Sequence, residues 1–94
     1  MNLAAKDSSE ILRVSRAHGA TDIRVFGSRA RGDARPESDL DLLVTLEEGR
    51  SLLDLVAIKQ ELEDSLGWRV DVLTPGAMSP YLRSRIMAEA IALD

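Results

Sequence analysis

Ninety-four residues are enough for one two-layer domain, and residues 1–94 are read as a single domain without room for a second functional module. Hydrophobic residues at 45% and charged residues at 30% exclude a disordered chain, while a net charge of −4 argues against non-specific attraction to nucleic acid. The absence of cysteine removes disulfides, thiolate zinc sites and thiol nucleophiles. A single His18 cannot build a histidine-rich metal site or a Ser-His-Asp triad.

No apolar run approaches the roughly 18 residues that span a bilayer, and the N-terminus lacks a signal-peptide core, so a cytoplasmic protein without membrane contact is expected. With one Phe, one Trp and one Tyr, the core must be aliphatic. Asp7 and Glu10 have the spacing of an N-terminal capping arrangement, and the apolar pattern from Ile11 ends at Gly19, which predicts a helix over 8–18. Residues 22–26 are β-branched and aromatic and stop at Gly27-Ser28, the signature of a strand. Ser28 to Arg31 suits one helical turn, and residues 33–38 are loop by composition.

A second strand is predicted over 39–45. Side chains alternate across a strand, so Asp39 and Asp41 share one face while Leu40, Leu42 and Val44 share the other. Ser51 and Asp54 have capping-box spacing, and Leu52, Leu55, Val56, Ile58, Leu62 and Leu66 mark an amphipathic helix over 52–66 ended by Gly67. Residues 68–74 alternate again as a third strand, with Asp71 on the face of Arg69 and Leu73. Ser79-Pro80 then opens a closing helix whose apolar side carries Leu82, Ile86, Ala90 and Leu93. The fold class is therefore α/β in the α+β sense: a short mixed sheet with helices packed mainly on one face.

Two carboxylates on one patch of sheet repel, and the arrangement becomes favourable when an oxygen-preferring divalent cation sits between them. The residues thus point to a Mg²⁺ site facing a phosphate-holding turn. The opposing reading of Asp39 and Asp41 is the solvent face of an edge strand, but Asp is a poor strand former and two of them need a cause. Gly27-Ser28 alone reads as a simple turn, and Asp71 alone as a partner for Arg69. Arg29, Arg31 and Arg35 are either solvated loop or groups that touch phosphate or an acidic partner. Tyr81 is read as part-buried, with self-modification as the alternative, and Trp68 as a packing anchor.

Gly27-Ser28, ten intervening residues, Asp39-x-Asp41 and a later strand with Asp71 resemble the minimal nucleotidyltransferases of the DNA polymerase beta-like superfamily. The Gly-Ser and Asp-x-Asp spacing alone arises by chance in about one chain of this size in a thousand. The resemblance implies the nucleotidyltransferase fold, ATP as substrate and two Mg²⁺ ions. It assigns Gly27, Ser28 and Arg29 to the nucleotide, and Asp39, Asp41 and Asp71 to metal ligation and catalysis. It further implies an antitoxin that moves AMP from ATP to a tyrosine of a partner HEPN-domain toxin, itself read as a ribonuclease, without a nucleic-acid template. The competing expectations are a non-catalytic antitoxin that inhibits its partner by forming a complex, and nucleotidyl transfer to a small hydroxylated molecule.

Overall fold

A computed structural model describes residues 1–93. The elements run α1 (Ala5–Ala17), β1 (Ala20–Phe26), α2 (Ser28–Arg31), β2 (Leu40–Leu46), α3 (Leu52–Leu66), β3 (Val70–Leu73), a 3-10 turn (Pro75–Ala77), α4 (Pro80–Glu89) and β4 (Ile91–Ala92). The four strands form one mixed sheet in the order β3-β2-β1-β4. β1 is antiparallel to both β2 and β4, whereas β2 and β3 are parallel, as their long connection through α3 permits.

The helix over 52–66 is found with its expected bounds. Ser51 Oγ accepts from the Leu53 amide at 3.2 Å, and Asp54 Oδ2 accepts from the Ser51 amide at 2.9 Å. Gly67 ends the helix in the left-handed region, at φ 75°. α1 begins one turn before the expected position, because Ala4 is its N-cap and no side chain caps it. Glu10 pairs with Arg13 instead, at 2.8 Å. His18 closes α1 and ties it to α3, its ring facing Asp54 at 3.8 Å and Glu61.

The closing helix is shorter than its apolar pattern suggests. It ends at Glu89, and the next residues cross to the open edge of β1, pairing Val25 with Ile91 and Arg24 with Ala92. Leu93 donates its amide to the Ile23 carbonyl at 2.9 Å and is buried in the core as part of this strand segment, not of a helix. β-branched Ile91 lies where sheet pairing is available, and this tertiary contact overrides the helical spacing.

The two faces of the sheet have separate cores. Ile11 and Val14 of α1 and Ile58 and Leu62 of α3 cover Ile23, Val25, Leu40, Leu42, Val44 and Val70 on one face. On the other, Ile86 of α4 and Met78 cover only Leu43, with Phe26 and Leu73 packed beside them. That smaller cover leaves the Asp41 end of the second face open.

β3 is a sheet edge, and α3 secures it. Glu63 accepts the Val70 amide at 3.0 Å while Lys59 Nζ donates to the Val70 carbonyl at 2.6 Å, so both outward backbone groups of Val70 are satisfied. The Val70 amide, and then Lys59, hold the Glu63 carboxyl below its ordinary pKa. Among the described residues no helix is long and apolar enough to cross a membrane.

The capping box gives a direct test of how α3 is held. Ser51→Ala is expected to cost about 1 kcal/mol in urea unfolding.

Candidate active site

The site begins where β1 stops. Phe26 lies opposite Asp41 in the antiparallel β1–β2 ladder, so the next residue, Gly27, turns directly over the Asp41 side chain. Gly27 adopts φ 75° and ψ −158°, a conformation open in practice only to glycine. A Cβ built there would overlap Asp41 Oδ2. Glycine is thus required twice at this position, for the backbone angle and for the closeness of the carboxylate.

Ser28 opens α2, a single turn that ends at Gly32, itself left-handed at φ 87°. The Asp33 amide donates to the Ser28 carbonyl at 3.1 Å, and this bond starts the loop toward Asp39. Asp39, expected as the first residue of the strand, sits one residue before the observed β2 and is half-buried. Asp41 lies within β2, half-buried on the sheet face opposite the main core. Asp71 lies directly beside Asp41 in the parallel β2–β3 register and is exposed.

The three aspartates expected from sequence are therefore neighbours on one end of the sheet. Burial pushes the Asp41 carboxyl up to about 6, assisted by the charges of Asp71 and Asp39, a hydrogen bond with Asp71, and the charge of Glu89. Asp71 makes no ion pair with Arg69, so the alternative reading of Asp71 as a surface partner for that arginine falls away among the described residues. No group of three His, Asp or Glu side chains among the described residues is already gathered as a metal-ligand set. The donors are all carboxylate oxygens, Asp41 carries an electrostatic penalty that a cation would relieve, and such a set suits Mg²⁺.

Arg29 is placed differently from the expectation. Its side chain is 4% exposed, and its guanidinium stacks on the Trp68 ring with 3.7 Å between Cζ and the ring centroid. Nη2 donates to the Ser38 carbonyl at 2.8 Å and to the Pro36 carbonyl at 3.3 Å. This side chain is committed to the loop that leads into Asp39 and points at protein, so a role on the nucleotide through its guanidinium is corrected to a role in fixing the loop. Arg31 instead lines an open cleft of roughly 320 Å³ with Phe26, Gly27, Arg85, Ile86 and Glu89. Arg35 is exposed. Tyr81 is 75% exposed rather than part-buried.

Glu89 was not singled out by sequence reasoning. Its carboxylate accepts the Gly27 amide at 2.5 Å and pairs with Arg31 Nη1 at 3.2 Å. One sequence signal could have found it: an acid in the last turn of a helix opposes the helix dipole and calls for a cause elsewhere.

Two outcomes follow from these contacts. Arg29→Ala should cost about 3 kcal/mol, from a desolvated cation–π contact and hydrogen bonds of a charged donor, read by urea unfolding. Because Trp68 is the sole tryptophan, its emission should shift to the red in the folded variant. For Asp41, the unfolded chain titrates near 3.8 and the folded chain near 6, so the folded state holds more protons between those values. In metal-free protein its contribution to stability therefore falls as pH rises through that window and is fully unfavourable above it. Asp41→Asn should accordingly raise the stability at pH 7 by about 1 kcal/mol, after allowing for water around this half-buried group. The difference should shrink toward pH 4 in thermal unfolding.

Residues 9–93 match the family model of the nucleotidyltransferase domain. A protein of Methanocaldococcus jannaschii, named as a candidate protein adenylyltransferase, is 46% identical over 82 residues, covering 87% of this chain and 88% of that relative. The protein adenylyltransferase MntA of Thermococcus cleftensis is 37% identical over 73 residues, covering 78% of this chain and 74% of the relative. Among solved structures, one described as a candidate minimal nucleotidyltransferase superposes with a TM-score of 0.82 at 49% identity, over 92% of this chain and 88% of the other. A toxin–antitoxin crystal structure with AMP-PNP reaches a TM-score of 0.80 at 21% identity, over 93% of this chain and 72% of that one, and supports the fold alone. With the Gly27-Ser28 turn, the paired aspartates and the mixed sheet all in the expected relation, this chain belongs to the nucleotidyltransferase domain family and is a nucleotidyltransferase of the minimal kind.

Proposed function

We propose that this chain is an antitoxin that transfers AMP from ATP to a tyrosine hydroxyl of a partner HEPN-domain toxin in the cytoplasm, and that residues 1–94 act as a single catalytic domain. The observation that carries the reading is the packing of the Gly27 turn against Asp41, with Asp71 in register beside it. A turn that can admit phosphate is thus in contact with a carboxylate cluster that favours a cation. The acceptor rests on the relatives: those at 46% and 37% identity carry the name protein adenylyltransferase, and structures of the same fold come from toxin–antitoxin complexes, one of them with a tri-AMPylated HEPN toxin.

In this reading Gly27 and Ser28 hold the triphosphate, Gly27 by allowing close backbone approach and Ser28 by its amide and hydroxyl. Asp39, Asp41 and Asp71 would hold Mg²⁺, with room in the donor set for two ions. A metal held there would supply neutralisation of charge on the α-phosphate and on the departing pyrophosphate. The tyrosine oxygen attacks the α-phosphorus, the bond to the pyrophosphate oxygen breaks, and Asp71, exposed on the edge strand, takes the phenolic proton. Arg29 acts through the loop: by holding the Ser38 carbonyl it fixes the residue that precedes Asp39.

Incubation with ATP labelled at the α-phosphate, Mg²⁺ and the partner HEPN-domain toxin should label that toxin on tyrosine. Asp39→Ala or Asp41→Ala should reduce labelling at least a hundredfold, about 3 kcal/mol in the barrier, while the fold persists by circular dichroism. Neutralisation of the toxin that survives both substitutions, with no label transferred, would instead establish inhibition by complex formation. Label on a small molecule alone would point to the third class of acceptor.

A further inference from the structure

The short β4 strand leaves the β1 edge incomplete just where the phosphate-facing turn begins. β4 pairs Ala92 with Arg24 and Ile91 with Val25. Extending that antiparallel register by two residues would set position 89 opposite Gly27, but the chain is still helical at Glu89 and offers no strand carbonyl there. The Glu89 carboxylate takes its place, accepting the Gly27 amide at 2.5 Å. The same carboxylate receives Arg31 Nη1 at 3.3 Å on one oxygen and 3.2 Å on the other. Gly27 and Arg31 bracket the single turn α2, whose Arg31 amide donates to the Gly27 carbonyl at 3.1 Å. One side chain therefore fastens both ends of the turn that carries Ser28.

We propose that Glu89 is a positioning residue for nucleotide binding, holding the Gly27 turn in its glycine-only conformation against Asp41 and aiming Arg31 into the adjacent cleft. The assignment deepens the adenylyl-transfer reading and rests on it for the identity of the nucleotide. Gly27 is pinned from two sides, by Asp41 under its Cα and by Glu89 on its amide. A bond from a backbone amide to a carboxylate is charge-assisted, and so is stronger than the ladder bond it replaces. Arg31 divides its guanidinium between Glu89 and Asp33, with Nε 3.3 Å from Asp33 Oδ2. Among the described residues its Nη2 makes no hydrogen bond and remains a donor for an anion. The role assigned to Glu89 is exerted through its contacts with Gly27 and Arg31.

Three variants of the full chain test this by two readouts. Glu89→Ala should speed hydrogen exchange of the Gly27 amide and raise the KM for ATP, each by about tenfold, with a smaller change in kcat. Glu89→Gln, whose side-chain carbonyl still accepts the Gly27 amide, should keep the slow exchange and recover most of the KM. Glu89→Asp, one methylene shorter, should behave as the alanine variant does, and carries the test if Glu89→Ala does not fold. Unchanged exchange at Gly27 in Glu89→Ala and Glu89→Asp would overturn the proposal. A lower KM for ATP would also overturn it, since Glu89 would then be an occupant of the phosphate seat. If wild-type protein transfers no label, that failure belongs to the adenylyl-transfer reading, and the exchange measurement decides the role of Glu89 by itself.

Discussion

The close approach of Gly27 to Asp41 is the constraint on which the rest of the molecule depends. It requires that β1 and β2 pair in the register that puts Phe26 opposite Asp41, and that the following residue lack a side chain. The register is secured on the far face of the sheet, where Ile23, Val25, Leu42 and Val44 are buried under α1 and α3. A slip of one residue would turn those side chains to water and bring the aspartates into the core, so hydrophobic burial on one face fixes the geometry of charge on the other.

That arrangement has an electrostatic cost. Asp41 is crowded by Asp71 and Asp39, with Glu89 farther along the same end of the sheet, and its carboxyl is correspondingly reluctant to ionise. Among the described residues no ion pair neutralises the cluster. Two nearby cations are otherwise engaged: Arg29 is held on Trp68 and the loop carbonyls, and Arg31 lies between Asp33 and Glu89. The aliphatic core supplies the stability that lets the site remain unrelaxed, and the unspent attraction for positive charge is available to a ligand.

Much of this is legible in the sequence because it depends on local rules. Alternation places Asp41 on the face opposite Leu40, Leu42 and Val44, the Ser51–Asp54 box and Gly67 bound α3, and the Gly27-Ser28 punctuation ends β1. What is not legible depends on contacts between distant residues. The spacing through Leu93 looks helical, yet Ile91 and Ala92 find the free edge of β1 and become a strand. Arg29, adjacent to a Gly-Ser turn, has the position of a phosphate ligand, and Trp68, arriving from beyond α3, draws it inward together with the Pro36 and Ser38 carbonyls. Glu89 is 62 residues from the amide it binds, a separation at which sequence pattern carries no information beyond the oddity of an acid at a helix end.

The fastening of β3 by α3 bears on how anything reaches Asp71. A free sheet edge ordinarily invites another strand, through its row of unpaired amides and carbonyls. Here the edge strand is four residues long, Lys59 and Glu63 already occupy both outward groups of Val70, and the next residue presents a carboxylate. So short and blocked an edge is a poor template for backbone pairing. The molecule is thereby protected from edge-to-edge association on this side, and the approach to Asp71 is not one that an added strand can use.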